Sequence, residues 1–380
     1  VKIVNSVILA ALSRNATHIH LEPHDKAIDV KLRVNGVLDK LLGVPKDQAR
    51  NILNRLKILA GIDILKRRIP LEGYFRVRSE NKYYDIDMYT FPVQEGEHAV
   101  LSFQQLFSKE ELRLENLGMS PALYDAYRQV VSEKRGMVIV VGPPDSGKSS
   151  TIYATLNLLK NPGCRAVTYE NPVKNRLADI EQAEPNPRAG LTYESGLRAL
   201  IRQDLDYLMV GDFSSRDSVH IALEASLGKT LVLSRMVFNN TLGVIPRILD
   251  QGAPPFLLYS ALKAILGQRL VRRLCPQCLE SYDPPEPLRA AIIEKTGREN
   301  PKLYKAVGCK LCGNTGYKGR IGLYELLVPD RKIQSTILAR APQEEIQKAA
   351  LAQGFKSFAY DGILKALEGV TTYEEVASAT

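Results

Sequence analysis

A chain of 380 residues with 45% hydrophobic and 24% charged residues is too long for one ordinary core and has the composition of a globular protein of two or three domains. No run of 18 or more apolar residues occurs, which excludes a helix built to span a bilayer. The net charge of +9 points to acidic partners or to no more than a modestly basic surface, because its densest patches, Lys66-Arg67-Arg68 and residues 269–273, are too short to argue for nucleic acid by themselves.

The first residue is Val1, so the expectation is a fragment with an N-terminal part missing; the residues that follow do not form a signal peptide. Residues 1–105 are predicted to form a small α+β domain. Ile28, Val30, Leu32 and Val34 alternate and mark a strand over 27–34, another is expected over 83–89, and Asn35-Gly36 supplies a turn. Ile52, Leu53, Leu56 and Leu59 recur at helical spacing over 47–61, with Gly61 as the stop. The charged stretch 108–115 has the composition of a linker, placed at 106–116.

From residue 117 to 268 wholly apolar strands alternate with helices, the pattern of a parallel sheet covered on both faces. Strands are expected at 137–141, 164–169, 207–210 and 230–233. Between 269 and 322 the chain becomes richer in Cys, Pro and Gly, and 323–380 reads as a C-terminal helical region.

Gly142-Pro143-Pro144-Asp145-Ser146-Gly147-Lys148-Ser149, followed by Ser150, fits G-x-x-x-x-G-K-[ST] between a strand and a helix. Glycines let the backbone turn its N–H groups onto phosphate oxygens, and the helix N-terminus adds partial positive charge. Lys148 is expected on the β- and γ-phosphates, and the Ser149 hydroxyl on Mg²⁺. The ligand is a nucleoside triphosphate, with ATP the first choice.

Cys275-Pro-Gln-Cys278 and Cys309-Lys-Leu-Cys312 are two thiol turns able to complete a tetrahedral Zn²⁺ site. Gly308, Gly313 and Gly316 supply permissive backbone. A redox pair, or thiols that a rigid loop no longer needs filled, are the other readings. Cys164 is expected inside an apolar strand, as core packing.

With these motifs in place, the chain resembles the secretion and pilus-assembly ATPases of type II secretion and type IV pilus systems, in the zinc-containing extension-motor branch. Further residues carry the likeness: Thr168-Tyr-Glu170-Asn-Pro172-Val at an acidic box, Leu191 to Asp204 leading into the Walker B-like Leu208-Met-Val-Gly211-Asp212, Gln268 to Cys275 with the four cysteines, and Ala16-Thr-His18-Ile-His20-Leu-Glu22-Pro23 near the start. The resemblance implies a RecA-like P-loop domain, a PAS-like N-terminal domain and an inserted tetracysteine zinc module. It also implies a homo-hexamer at the cytoplasmic, inner face of the bacterial inner membrane, where closure of one domain on the other around ATP moves a platform protein. Taken alone, His18 and His20 share a strand face and need no catalytic role.

The departures from that family are equally specific. The resemblance implies a Walker B glutamate where Asp212 stands, and a carboxylate withdrawn by about an ångström costs on the order of a hundredfold. The run after it reads Phe213-Ser214-Ser215, with Arg216-Asp217 two positions late. Thr230 and Val237 occupy the places of two histidines; Asp87, His98, Ser102 and Tyr74 occupy those of arginines, while Arg68 is retained. Cations that meet a transferring phosphate are worth roughly 10³ to 10⁵ in rate, so slow turnover is expected. Glu170 and Asp212 are the remaining candidates for catalytic carboxylates, and Arg235 or Arg216 for a substitute arginine. Three functions are therefore carried forward: a motor ATPase with weak hydrolysis, a catalytically deficient ATP-binding subunit of such a machine, and, remotely, a basic zinc-containing nucleic-acid binder.

Overall fold

The computed structural model describes every residue except 1, 80–81, 105–111, 174, 178 and 214. The chain divides into two compact units, Val1–Phe107 and Ser108–Thr380.

The first unit runs α1 (Lys2–Ser13), β1 (Ala16–Pro23), β2 (Ala27–Val34), β3 (Val37–Pro45), α2 (Lys46–Leu59), β4 (Leu71–Ser79), β5 (Lys82–Val93) and β6 (Gly96–Gln104). Its six strands form an antiparallel sheet in the order β3-β2-β1-β6-β5-β4. Alternation decides which side is buried: Ile19 and Leu21 of β1, Val30 and Leu32 of β2 and Leu101 of β6 pack against Val4, Val7 and Ile8 of α1 and Ile52, Leu53 and Leu56 of α2. The predicted turn is present, with Asn35 and Gly36 both at positive φ, the geometry of a tight hairpin.

In the second unit, α3 (Pro121–Ser132) leads to β7 (Gly136–Gly142), α4 (Lys148–Leu159), β8 (Ala166–Tyr169), β9 (Glu181–Ala183), α5 (Tyr193–Leu200), β10 (Tyr207–Asp212), α6 (Arg216–Leu227), β11 (Leu231–Val237), α7 (Val244–Asp250), α8 (Pro255–Ala261) and β12 (Leu262–Leu274). There follow β13 (Leu279–Tyr282), α9 (Glu286–Thr296), β14 (Leu303–Ala306), β15 (Tyr317–Leu327), α10 (Arg331–Leu338), α11 (Gln343–Ala352), α12 (Phe358–Leu367) and α13 (Tyr373–Ala379). The main sheet has the order β15-β12-β7-β11-β10-β8-β9. All neighbours are parallel except β15, which runs antiparallel to β12. Every residue of β7 is buried, as its unbroken apolar run requires of a strand covered on both faces. The carboxyl ends of β7, β8, β10 and β11 therefore fall along one edge, where open α/β sheets place their ligands.

Three sequence expectations are corrected. The boundary at 268/269 falls inside β12, which continues to Leu274 and pairs with β15 back to Tyr317; the outer parts of the expected zinc module are thus main-sheet strands, because Val271 and Leu323 are buried beneath Phe358. For the same reason the helical C-terminal region begins with strand through Leu327. Cys164 precedes β8 instead of lying in it, and its thiol bonds Asn161 Oδ1 at 3.1 Å. Part of the expected linker lies outside the described residues; of the rest, Leu112 and Leu114 are buried.

Candidate functional site

Strand β7 ends at Gly142, where the chain turns into α4. Asp145 (φ 57°) and Gly147 (φ 86°) are left-handed within the turn. A Cβ at Gly142 would overlap the Gln268 carbonyl oxygen of β12 and lie 2.6 Å from Ser146 Oγ, so the strand packing leaves room only for glycine. Gln268 also accepts from Thr151 Oγ1 at 2.6 Å, tying the first turn of α4 to β12. The amides of that turn have no partner within the helix and, with the helix dipole, make the ready-made anion site of a phosphate loop. Lys148 Nζ donates to the carbonyl oxygens of Gly142 at 3.0 Å and Pro143 at 2.6 Å and lies 3.4 Å from Ser146 Oγ. It is thus held over the loop formed by residues 142–150.

The two carboxylates singled out in the sequence reach the same edge. Glu170 follows β8 and is fully buried; its Oε2 accepts from Tyr153 Oη of α4 at 2.7 Å. Burial raises the Glu170 carboxyl above its ordinary value, opposed by the Tyr153 hydrogen bond and the Arg235 charge. Asp212 ends β10 with its side chain half exposed. A register shift at Gly211 sets Asp212 opposite Arg235 of β11.

Arg235 joins these groups. Its Nη1 donates to Ser149 Oγ at 2.6 Å, its Nε donates to Asp212 Oδ2 at 3.2 Å, and Nη1 lies 3.9 Å from Glu170 Oε2. The residue is 5% exposed. The hydroxyl expected to face Mg²⁺ therefore accepts from a guanidinium, and a dication added to these oxygens would stand against a fixed positive charge; the group does not fit this arrangement. Arg216, the other candidate, lies against Gly252. Val237, 57% exposed, is paired with Gly142 across β7 and β11, whereas Thr230 bonds the Leu205 carbonyl at 2.8 Å.

In the first unit three of the four positions implied to carry arginines, Tyr74, Asp87 and Ser102, form a row across the sheet with His18 at its end. His18 pairs with Ser102, Ser102 with Asp87 and Asp87 with Tyr74. His98 pairs with Phe91 and its ring stacks on His20 at 5.9 Å.

The four cysteines converge. Cys275 and Cys309 Sγ are 3.9 Å apart, Cys278 and Cys312 3.8 Å, Cys309 and Cys312 3.8 Å, and all four lie within 4.8 Å of one another. A tetrahedron with Zn–S bonds of about 2.3 Å has edges of about 3.8 Å, so the donor set fits zinc, whose contribution there is a structural crosslink between the two turns. Although burial pushes the other way, N–H donors from Cys309 and Gly316 help hold the Cys312 thiol down to about 6, toward the thiolate that a metal requires. Gly308, Gly313 and Gly316 all have positive φ.

Sequence reasoning gave no role at this site to Tyr153, Gln268 or Arg320. Burial lowers the Arg320 guanidinium, offset in part by the charge of the Asp145 carboxylate in the loop. The available signal was Arg235 itself, a lone cation inside the apolar run of β11. Two of the three arginines of the basic patch at 269–273 are engaged structurally: Arg269 bonds the Asn239 carbonyl and Arg272 pairs with Glu375.

A profile of the family described as "Type II/IV secretion system protein" matches residues 1–378. The chain is 38% identical to "Type II secretion system protein E" of Pseudomonas aeruginosa, covering all of this chain and 75% of that protein. It is 37% identical to "Type IV pilus assembly ATPase PilB" of Thermus thermophilus, again over the whole chain but over 43% of that relative, less than half its length. Among solved structures it resembles the X-ray structure of the Legionella pneumophila ATPase DotB, with a TM-score of 0.72 at 15% identity over 99% of this chain and 94% of that one, a likeness of fold.

Proposed function

From the premise that this chain belongs to the type II/IV secretion system protein family, we propose that it is an ATP-binding motor subunit of a type II secretion or type IV pilus assembly system, with slow hydrolysis. The observation that carries the binding half is the loop 142–150, with Gly142 pressed on β12, Gly147 left-handed before α4 and Lys148 held over the turn. These residues would hold ATP: backbone amides and Lys148 meet phosphate oxygens, and the α4 dipole favours their charge. The assembly is read as a hexamer that works on an inner-membrane platform protein. The chain would dock at the inner face of that membrane, as the family resemblance implies; no helix among the described residues is long and apolar enough to cross it.

Weak hydrolysis rests on the surroundings of the two carboxylates. Asp212 is paired with Arg235. Glu170 is fully buried and its Oε2 is taken by the Tyr153 hydroxyl, which leaves little access for a water to be activated there. The same observations favour a second reading, a catalytically deficient ATP-binding subunit within such a machine. A nucleic-acid role loses ground, because Arg269 and Arg272 of the basic stretch 269–273 are spent on structural contacts.

Phosphate release by the purified, zinc-replete chain, compared with Lys148→Ala, separates the readings. A slow rate that Lys148→Ala abolishes supports the motor. ATP-dependent thermal stabilisation with no release above Lys148→Ala supports the deficient subunit. Neither stabilisation nor release would overturn both.

A further inference from the structure

Ser149, Glu170 and Asp212 bring three side-chain oxygens to the carboxyl edge of the sheet beside the phosphate loop, the kind of donor set that would gather around a hard divalent cation. In this chain a side chain already holds that place. Arg235 donates to Ser149 Oγ and to Asp212 Oδ2 and lies 3.9 Å from Glu170 Oε2.

The placement is built into the sheet. Arg235 is central in β11, paired with Val140 of β7 on one side and with Asp212 of β10 on the other. The register shift at Gly211 sets that second pairing, and Ser234 Oγ donates to the Gly211 carbonyl at 3.3 Å beside it. With 5% of the residue exposed, the guanidinium has little freedom to leave. It is permanently charged, presents several N–H donors in a planar fork and suits phosphate oxygens. A second cation at the same oxygens would be repelled by it.

We propose that Arg235 takes the place of the divalent cation, so that the chain binds nucleoside triphosphate in metal-free form, with the guanidinium compensating phosphate charge from its seat between Ser149 and Asp212. This rests on the reading of residues 142–150 as a nucleotide site. It makes Arg235 a binding residue of this chain and sets the ligand as the free triphosphate anion, not its magnesium complex.

The test is titration of the full chain with a fluorescent ATP analogue in excess Mg²⁺ and in excess EDTA. Wild type is expected to bind about tenfold or more tightly in EDTA, because excess Mg²⁺ draws the free anion into its complex, while Arg235→Ala reverses the preference and binds about tenfold or more tightly with Mg²⁺. Arg235→Lys, which keeps charge but not the fork, is expected to fall between them. A wild-type chain that binds about tenfold more tightly with Mg²⁺ overturns the inference and leaves the nucleotide site standing. Metal-independent binding by both wild type and Arg235→Ala also overturns it, since another group would then be the compensating cation. Failure of the wild type to bind in either buffer overturns the nucleotide-site reading, and this inference with it. The wild-type comparison needs no variant to fold.

Discussion

Tyr153 Oη donates a 2.7 Å hydrogen bond to Glu170 Oε2, joining the phosphate-loop helix to the end of β8 in a fully buried contact. The other carboxylate oxygen of Glu170 is buried with no hydrogen-bond partner at normal geometry among the described residues. An ionised carboxylate there loses much of its hydration, and its carboxyl pKa is raised. The unfolded chain ionises near about pH 4, so stability falls as pH rises from there through the higher folded value and stays reduced above it. Glu170→Gln, which carries no charge, is expected to unfold roughly 2–4 °C above wild type at pH 8. The gap should narrow toward pH 5. Thermal melts at the two pH values check this; an equal gap at both, or a lower midpoint for the variant at pH 8, would show that burial is not the controlling effect.

Gly142→Ala places a methyl group against the Gln268 carbonyl and 2.6 Å from Ser146 Oγ. Neither β12 nor the loop can yield without breaking strand pairing, so a loss of about 1–3 kcal/mol or more is expected, together with loss of nucleotide binding. Gly43→Ala is the control, since its Cβ would meet Asp29 Oδ1 at an ordinary 3.6 Å, and should change stability by no more than about 0.5 kcal/mol. Chemical denaturation measures both.

Elemental analysis of the purified chain should find about one zinc per chain, the content of a closed four-sulfur site. Cys309→Ser should reduce this to near zero and lower the melting temperature, as should treatment of wild type with a strong chelator. Cys164→Ser, whose residue lies outside the cluster, should keep its zinc. Full zinc content in Cys309→Ser would show that the metal is held elsewhere.

The legible parts of the sequence were those fixed by local pattern. The β2 alternation, the Asn35-Gly36 turn and the apolar β7 depend on neighbouring residues alone, and the structure bears them out; the loop at 142–150 is read from the same kind of local pattern. The two C-x-x-C turns were legible because spacing presents both sulfurs to one side, and they converge. Less legible was what depends on long-range register. The strand Leu262–Leu274 hides its boundary because its partner lies about fifty residues onward, and its Arg269 and Arg272 look like surface until Asn239 and Glu375 are seen to engage them. The meeting of Arg235 with Asp212 and Ser149 needs three separate elements and one register shift, none of which periodicity can reveal.

Direct titration with ATP by calorimetry, on wild type and Lys148→Ala, is the shortest route to the central claim that residues 142–150 hold a triphosphate. Lys148 sits over the loop on the carbonyls of Gly142 and Pro143, where its ammonium is placed to meet phosphate oxygens. Saturable binding by wild type, weakened about tenfold or more in Lys148→Ala while the variant keeps its fold, is the predicted result. Equal affinity in the two proteins, or no binding by wild type, would contradict it.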